Sequence, residues 1–293
     1  MTRIGFIGLG AMGLPMATNL LAQGHPVIGY DTVDRPAFVQ AGGRAAGSIR
    51  ELVEDADVII TMLPNGAVVL DVVATQVLPH VRPGQVLIDC STIGVPSARK
   101  LHALAAEHGL AALDAPVTGG VGGAQAGSLT FMIGGDEAVF SAMRGVLAVM
   151  GAKLVYAGAA GNGQAVKICN NMAAGIIKIA ISEAFVLARQ LGVDERTFFE
   201  VASAGSAQAF ALTRTCPVPG LVESSPSSRD YTNGFATSLM LKDMVLAQEA
   251  AMASGAATVL GGAATHLYQL CANAGLGDRD NGIVYQFLSA QSA

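Results

Sequence analysis

RIGFIGLGAMGLPMATNLLAQGHPVIGYD, from Arg3 to Asp31, decides the fold. Arg3–Ile7 is an apolar run of strand length, Gly8 to Gly13 (GLGAMG) a glycine turn, Leu14–Gln23 a helical pattern, and Pro26–Tyr30 a second strand with Asp31 at its end. The glycines play different parts. Gly8 permits the tight turn, Gly10 lets a pyrophosphate approach the backbone, and Gly13 lets the helix pack on the strand. Leu9, Ala11 and Met12 complete the turn and belong to the same cofactor-binding set. A lone G-x-G-x-x-G says little. Here it lies between strand and helix with an acid 18 residues beyond Gly13, so the segment reads as a dinucleotide-binding βαβ unit.

Outward from this unit the alternation continues. Asp57–Thr61, Gln85–Asp89, Leu110–Asp114, Leu129–Ile133 and Leu154–Tyr156 are further strand-length runs, separated by amphipathic segments such as Ala67–Val77, Ser97–His108 and Glu137–Met150. The expected class is α/β, a doubly wound parallel sheet covered on both faces, with ligands beyond the carboxyl ends of the strands. Three of those ends carry unusual residues: Met62-Leu63-Pro64-Asn65, Cys90-Ser91-Thr92, and the glycine-rich Pro116–Ser128. Any one of them is an ordinary turn. Three on one rim point to a site whose hydroxyls and amides suit a ribose, a nicotinamide and an anionic substrate.

GNGQAVKICNNMAAGIIKIAISEAFVLARQLG, Gly161 to Gly192, reads as one long helix, after which the strands stop. Asp194–Ala204, Ala207–Arg214, Leu239–Ala253, Thr258–Ala274 and Ile283–Ala290 read as helices. The predicted organisation is a Rossmann-type domain over 1–161 and an all-helical domain over 162–293, with a cleft between them. Lys167 and Asn171 stand i, i+4 near the start of the long helix. A lysine there is usually solvated; isolated among Ala165, Val166, Ile168 and Cys169, it is a candidate acid or base. Lys242 and Asp243 are likewise lone charges in an apolar helix.

Composition narrows the function. Hydrophobic residues make up 52% and charged ones 13%, with a formal net charge of -5, which gives no basic field for nucleic acid. No Asp, Glu, Lys or Arg occurs from Ala250 to Gly277, yet glycines break that stretch, and two buried helices fit better than a membrane span. A strand beginning by Arg3 leaves no room for a targeting peptide, so a cytoplasmic location is expected. The cysteines at 90, 169, 216 and 271 form no CxxC pair, and His102 and His108 read as ordinary surface residues, so no metal is predicted.

GLGAMGLPMATNL (Gly8–Leu20), DCST (Asp89–Thr92), DAPVTGGVGGAQAGSLTFMIGG (Asp114–Gly135), GNGQAVKICNN (Gly161–Asn171) and LMLKD (Leu239–Asp243) together resemble the β-hydroxyacid dehydrogenases, over almost the whole chain. Pro217–Asp243 is similar to the corresponding segment of the 3-hydroxyisobutyrate branch. The resemblance implies a general acid/base at Lys167 and an orienting amide at Asn171, from the pattern G-x-x-x-K-x-x-x-N. It implies a carboxylate-binding loop at Thr118, Gly119 and Gly120, with Ser91 at the substrate. It also implies cofactor contacts at Leu63, Pro64, Asn65, Thr92 and Lys242. The family's loop is usually V-S-G-G, so the serine here has gained a methyl; and Arg279–Gly282 replaces an Asp-Phe-Ser-like element.

The expected reaction is reversible hydride transfer between a nicotinamide and a small β-hydroxy acid, tartronate- or succinate-semialdehyde reduction being the alternative and a silent cofactor-binding scaffold the reading from another class. Asp31, able to accept the ribose hydroxyls, favours NAD over NADP, with Arg35 as the one feature that would accommodate a 2′-phosphate. The apolar helical half favours a homodimer or homotetramer.

Overall fold

In the computed structural model, which describes residues 1–292, the alternation becomes a nine-stranded sheet. Its strands are β1 (Ile4–Ile7), β2 (Val27–Tyr30), β3 (Arg44–Ala45), β4 (Val58–Thr61), β5 (Val86–Asp89), β6 (Ala111–Asp114), β7 (Val117–Thr118), β8 (Thr130–Gly135) and β9 (Lys153–Gly158). Among them run α1 (Gly13–Ala22), α2 (Pro36–Gln40), α3 (Ile49–Asp55), α4 (Gly66–Val72), α5 (Val95–Glu107), α6 (Gly120–Gln125) and α7 (Glu137–Met150). The order is β3-β2-β1-β4-β5-β6-β8-β7, with β9 beside β8. Strand order reverses between β1 and β4, so the glycine turn after β1 lies at the switch point of the sheet.

Burial explains why these strands are legible in the sequence. Successive residues face opposite sides of the sheet, and both sides are covered. Ile4, Phe6, Ile60 and Ile88 pack with Met16 and Leu20 of α1 and Leu147 of α7. Ile7, Ile59 and Leu87 pack with Leu52 of α3, Val69 of α4 and Leu101 of α5. Such strands read as continuous apolar runs.

The sheet is parallel from β3 to β6 and between β8 and β9, as expected of a doubly wound sheet, while β8 runs antiparallel to β6 and β7. Between β6 and β8 the chain makes only a two-residue strand and a six-residue helix, too little to cross a sheet face and return in the same direction.

The chain divides into two compact units, Met1–Lys167 and Ile168 onward. The boundary therefore falls in the second turn of the long helix α8 (Asn162–Gln190) rather than at its start. The reason lies at Asp114, whose Oδ1 accepts the Gly161 N–H (2.8 Å) and whose Oδ2 accepts the Gln164 N–H (3.0 Å), binding the head of α8 to the end of β6.

In the second unit the rest of α8 is followed by α9 (Glu195–Ala204), α10 (Phe210–Thr213), α11 (Thr237–Ser254), α12 (Val259–Cys271) and α13 (Val284–Gln291). Ile181 and Phe185 of α8 pack with Ala202, Leu212 and Tyr285, while Ile179 packs with Met240, Met244 and Tyr268. By length and composition α8, rather than the Ala250–Gly277 stretch, could cross a membrane, yet half of its apolar stretch is buried inside the protein. It also holds the buried Lys178, which donates to the Thr215 carbonyl and, at 2.9 Å, to the Thr215 hydroxyl. Burial pushes that ammonium down to about 8, against the opposing charge of Asp280.

Candidate active site

At the switch point the three glycines differ in what surrounds them. Gly8 has φ +96, and a Cβ on it would lie 2.3 Å from the Met62 carbonyl oxygen; one on Gly13 would lie 1.8 Å from the Gly8 carbonyl oxygen. A Cβ on Gly10 would meet nothing within 4 Å. Beside that open space α1 begins with no side-chain cap at Met12. Open space against the N-terminus of a helix is where a pyrophosphate fits, with Leu9, Ala11 and Met12 supplying the backbone around it.

Asp31 lies at the end of β2, its Oδ2 accepting the Leu9 N–H (2.8 Å) and its Oδ1 the Val33 N–H (3.0 Å). Partial burial works to raise its carboxyl, but those two bonds and the Arg35 guanidinium outweigh it and hold the group below the usual carboxylate range. Arg35 stands 3.4 Å from Asp31 and is engaged with it. A cavity of about 440 Å³ lined by Leu9, Gly29, Asp31, Val33 and Arg35 opens here, within the size range of ligand pockets. These residues fit the adenosine half of a nicotinamide dinucleotide.

Three polar side chains follow along the same rim. Thr61, Asp89 and Asp114 stand opposite one another on β4, β5 and β6. Thr61 Oγ1 donates to Asp89 Oδ1 (2.7 Å), which also accepts the Ser91 N–H (3.2 Å), whereas Asp89 Oδ2, buried, has no partner. Burial pushes the Asp89 carboxyl up to about 6, against hydrogen bonds from Ser91 and Thr61, with the charge of Asp114 adding to the rise.

The residues expected to touch substrate or cofactor are distributed along this rim. Ser91 is fully buried and its hydroxyl accepts the Leu63 N–H (2.8 Å), which joins two strand-end loops. Asn65 caps α4, accepting the Val68 N–H (3.0 Å). Pro64 is exposed, while Thr92 and Thr118 are half-buried. Gly119 and Gly120 are exposed, with φ +131 and +63, values that favour glycine. Lys167 is buried, 7% exposed, one turn beyond the residues bound by Asp114. His102 is not the surface residue expected of it: its side chain is 14% exposed and its Nε2 lies 3.0 Å from Asp114 Oδ1. Its partner is 12 residues away on another element, so no spacing rule points to it.

In the second unit Asn171 Nδ2 donates to Asp243 Oδ2 (2.5 Å), and Asn171 Oδ1 accepts from Asn170 (3.0 Å). Both Asn171 and Asp243 are buried, and Lys242 Nζ stands 3.4 Å from Asp243 Oδ1. Asp243, in the sequence no more than a lone charge, therefore fixes which way the Asn171 amide points: donor toward Asp243. Among the described residues no group of three His, Cys, Asp or Glu side chains is placed to hold a metal ion.

Residues 3–158 match the profile of the NAD binding domain of 6-phosphogluconate dehydrogenase, and residues 161–288 that of the NAD-binding region of NADP-dependent 3-hydroxyisobutyrate dehydrogenase. The chain is 48% identical over 274 residues, 92% of each chain, to a probable 3-hydroxyisobutyrate dehydrogenase of Mycobacterium tuberculosis. It is 44% identical over 288 residues, 97% of each chain, to an NAD-dependent L-serine dehydrogenase of Pseudomonas aeruginosa. A solved structure of Mycobacterium tuberculosis 3-hydroxyisobutyrate dehydrogenase with L-serine superposes with a TM-score of 0.92 at 46% identity, covering 98% of this chain and 99% of that one. With similarity running through both units, the chain belongs to the NAD-dependent β-hydroxyacid dehydrogenases of the 3-hydroxyisobutyrate dehydrogenase type.

Proposed function

We propose that the protein oxidises 3-hydroxyisobutyrate to methylmalonate semialdehyde, with NAD in preference to NADP. The observation that carries this reading is the head of α8, where a buried lysine, Lys167, precedes by one turn an asparagine whose amide is held by Asp243. Bound NAD supplies the hydride acceptor. Lys167 takes the proton of the substrate hydroxyl as the carbon it sits on gives up hydride, and returns it in the reverse direction. Asn171 holds that hydroxyl, and Thr118 with the Gly119 and Gly120 amides holds the carboxylate. Because the base form of the lysine takes the proton, oxidation improves toward alkaline pH.

L-Serine is the second reading, supported by the Pseudomonas aeruginosa relative's name and by the solved structure that contains L-serine. Both compounds are 3-hydroxy acids that differ at C2, and Thr118 is a residue whose added methyl bears on room there. A panel of 3-hydroxyisobutyrate, L-serine, 3-hydroxypropionate, glycerate, tartronate semialdehyde and succinic semialdehyde, run with NAD and NADP, decides. A larger kcat/KM for serine replaces the first reading with the second; no turnover of any compound returns the scaffold reading. Exposed apolar side chains such as Phe210, Met252, Val259 and Leu260 support assembly as a homodimer or homotetramer, which light scattering on the purified protein checks.

A further inference from the structure

We infer that Gln164 is a positioning residue for this reaction, a clamp that holds the Ser91–Ile93 loop against the helical turn that carries Lys167. Gln164 is fully buried. Its Nε2 donates to the Ser91 carbonyl (2.7 Å) while its Oε1 accepts the Ile93 N–H (3.0 Å). One amide side chain thus grips the loop on both sides of Thr92, with a donor and an acceptor as a neighbouring strand would. Its own backbone N–H goes to Asp114 Oδ2 (3.0 Å), and Asp114 Oδ1 is engaged by Gly161 and His102. The turn is also tightly seated: a Cβ on Gly163 would lie 2.4 Å from the Met132 carbonyl oxygen and 2.7 Å from that of Asp114.

The consequence for catalysis follows from helix geometry. Lys167 stands three residues after Gln164, one turn along the same side of α8. Any shift of the Gln164 turn moves the lysine, and any loosening of the grip moves Thr92, which the family resemblance puts at the cofactor. The inference rests on the reading above for its catalytic part only. Only an amide fills this place as built: leucine leaves the Ser91 carbonyl and the Ile93 N–H unmet in a buried site, and an ionised glutamate sets oxygen against the Ser91 carbonyl. A protonated glutamate can donate to that carbonyl and accept from Ile93. The titratable and charged groups around this turn are Asp114, which accepts the Gln164 N–H, His102 on Asp114, Arg99 beside Gly161, Asp89, which accepts the Ser91 N–H, and Lys167 three residues along the helix.

Gln164→Leu and Gln164→Glu test the clamp in the full-length protein. Misplacement of this kind is expected to lower kcat about 10- to 100-fold in Gln164→Leu, with the NADH dissociation constant within about threefold of the parent. Gln164→Glu should match that loss at pH 9 and recover toward the parent at pH 6, so that the ratio of variant to parent kcat falls as pH rises. Hydrogen exchange read by mass spectrometry should quicken in peptides covering Ile93 and residues 161–167 while the rest of the sheet keeps its protection. A kcat within twofold in Gln164→Leu, a ratio flat with pH, or unchanged exchange at Ile93 each overturns the clamp. If the parent turns over no hydroxy acid, the functional reading fails, and the exchange measurement still decides the clamp.

Discussion

Asp89→Asn isolates the electrostatic cost of the buried rim. In the folded chain the Asp89 carboxyl is raised from its ordinary 3.8 to about 6, so folding favours the protonated form. The stability this group contributes is present in full below about pH 4 and is lost as pH rises through about 6. A shift of about two units corresponds to about 3 kcal/mol at neutral pH. Asparagine keeps the oxygen that accepts from Thr61 and Ser91, removes the titration, and puts an NH₂ where Oδ2 has no partner. An unmet buried donor costs about 1–2 kcal/mol. The variant should therefore be more stable than the parent by about 1–2 kcal/mol at pH 7 and less stable by about 1 kcal/mol at pH 4. Urea unfolding followed by far-UV circular dichroism at pH 4, 5.5 and 7 measures the difference at each pH. A difference that does not change with pH, or that grows more unfavourable to the variant on going to pH 7, refutes the reasoning.

Lys167→Ala should lower kcat by about 10²-fold or more and leave NADH affinity nearly intact, as loss of an acid/base predicts; near-normal turnover removes Lys167 from the mechanism. Asp31→Asn should weaken NAD use and narrow the gap with NADP, because it releases Arg35 from its pairing with the carboxylate; kcat/KM for both cofactors gives the answer, and an unchanged ratio means that the pair does not select the cofactor. Thr118→Ser should shift preference toward bulkier or branched hydroxy acids by about 1 kcal/mol, the scale of one methyl in a pocket. Identical substrate ratios in the two proteins would show that Thr118 does not shape specificity.

The inner strands of the sheet, β1, β4, β5, β6 and β8, are readable to within one or two residues because they are buried on both faces, and the helix from Glu137 to Met150 because its amphipathic pattern runs its full length. The short pieces are not. β3 and β7 have two residues each, and no periodicity exists over two positions. α3 is too short for its apolar pattern to stand out, although it carries a signature: Ser48 accepts the Glu51 N–H (3.2 Å), and Glu51 reaches back to the Gly47 N–H (2.8 Å), close to the Ser-x-x-Glu capping pattern. The site shows the same division. Gly8, Gly10, Gly13 and Asp31 are legible because one contiguous motif fixes their neighbours. The polar partners inside the protein, Asp114 with His102 and Asn171 with Asp243, come from separate elements, 12 and 72 residues apart, and only the fold brings them together.

The uneven surroundings of the three glycines give the dinucleotide turn two kinds of constraint that ordinary sequence comparison merges. Selection for abundance alone, as in a display or reporter screen with no cofactor requirement, should empty positions 8 and 13 of everything but glycine, since a methyl group there strikes carbonyl oxygens of the chain itself. Position 10 has no such quarrel with its own protein. Alanine should pass freely there until dinucleotide binding is demanded, when it should disappear from the survivors. Glycine 10 is thus written by the ligand and glycines 8 and 13 by the fold, and the difference between the two screens reads out which is which.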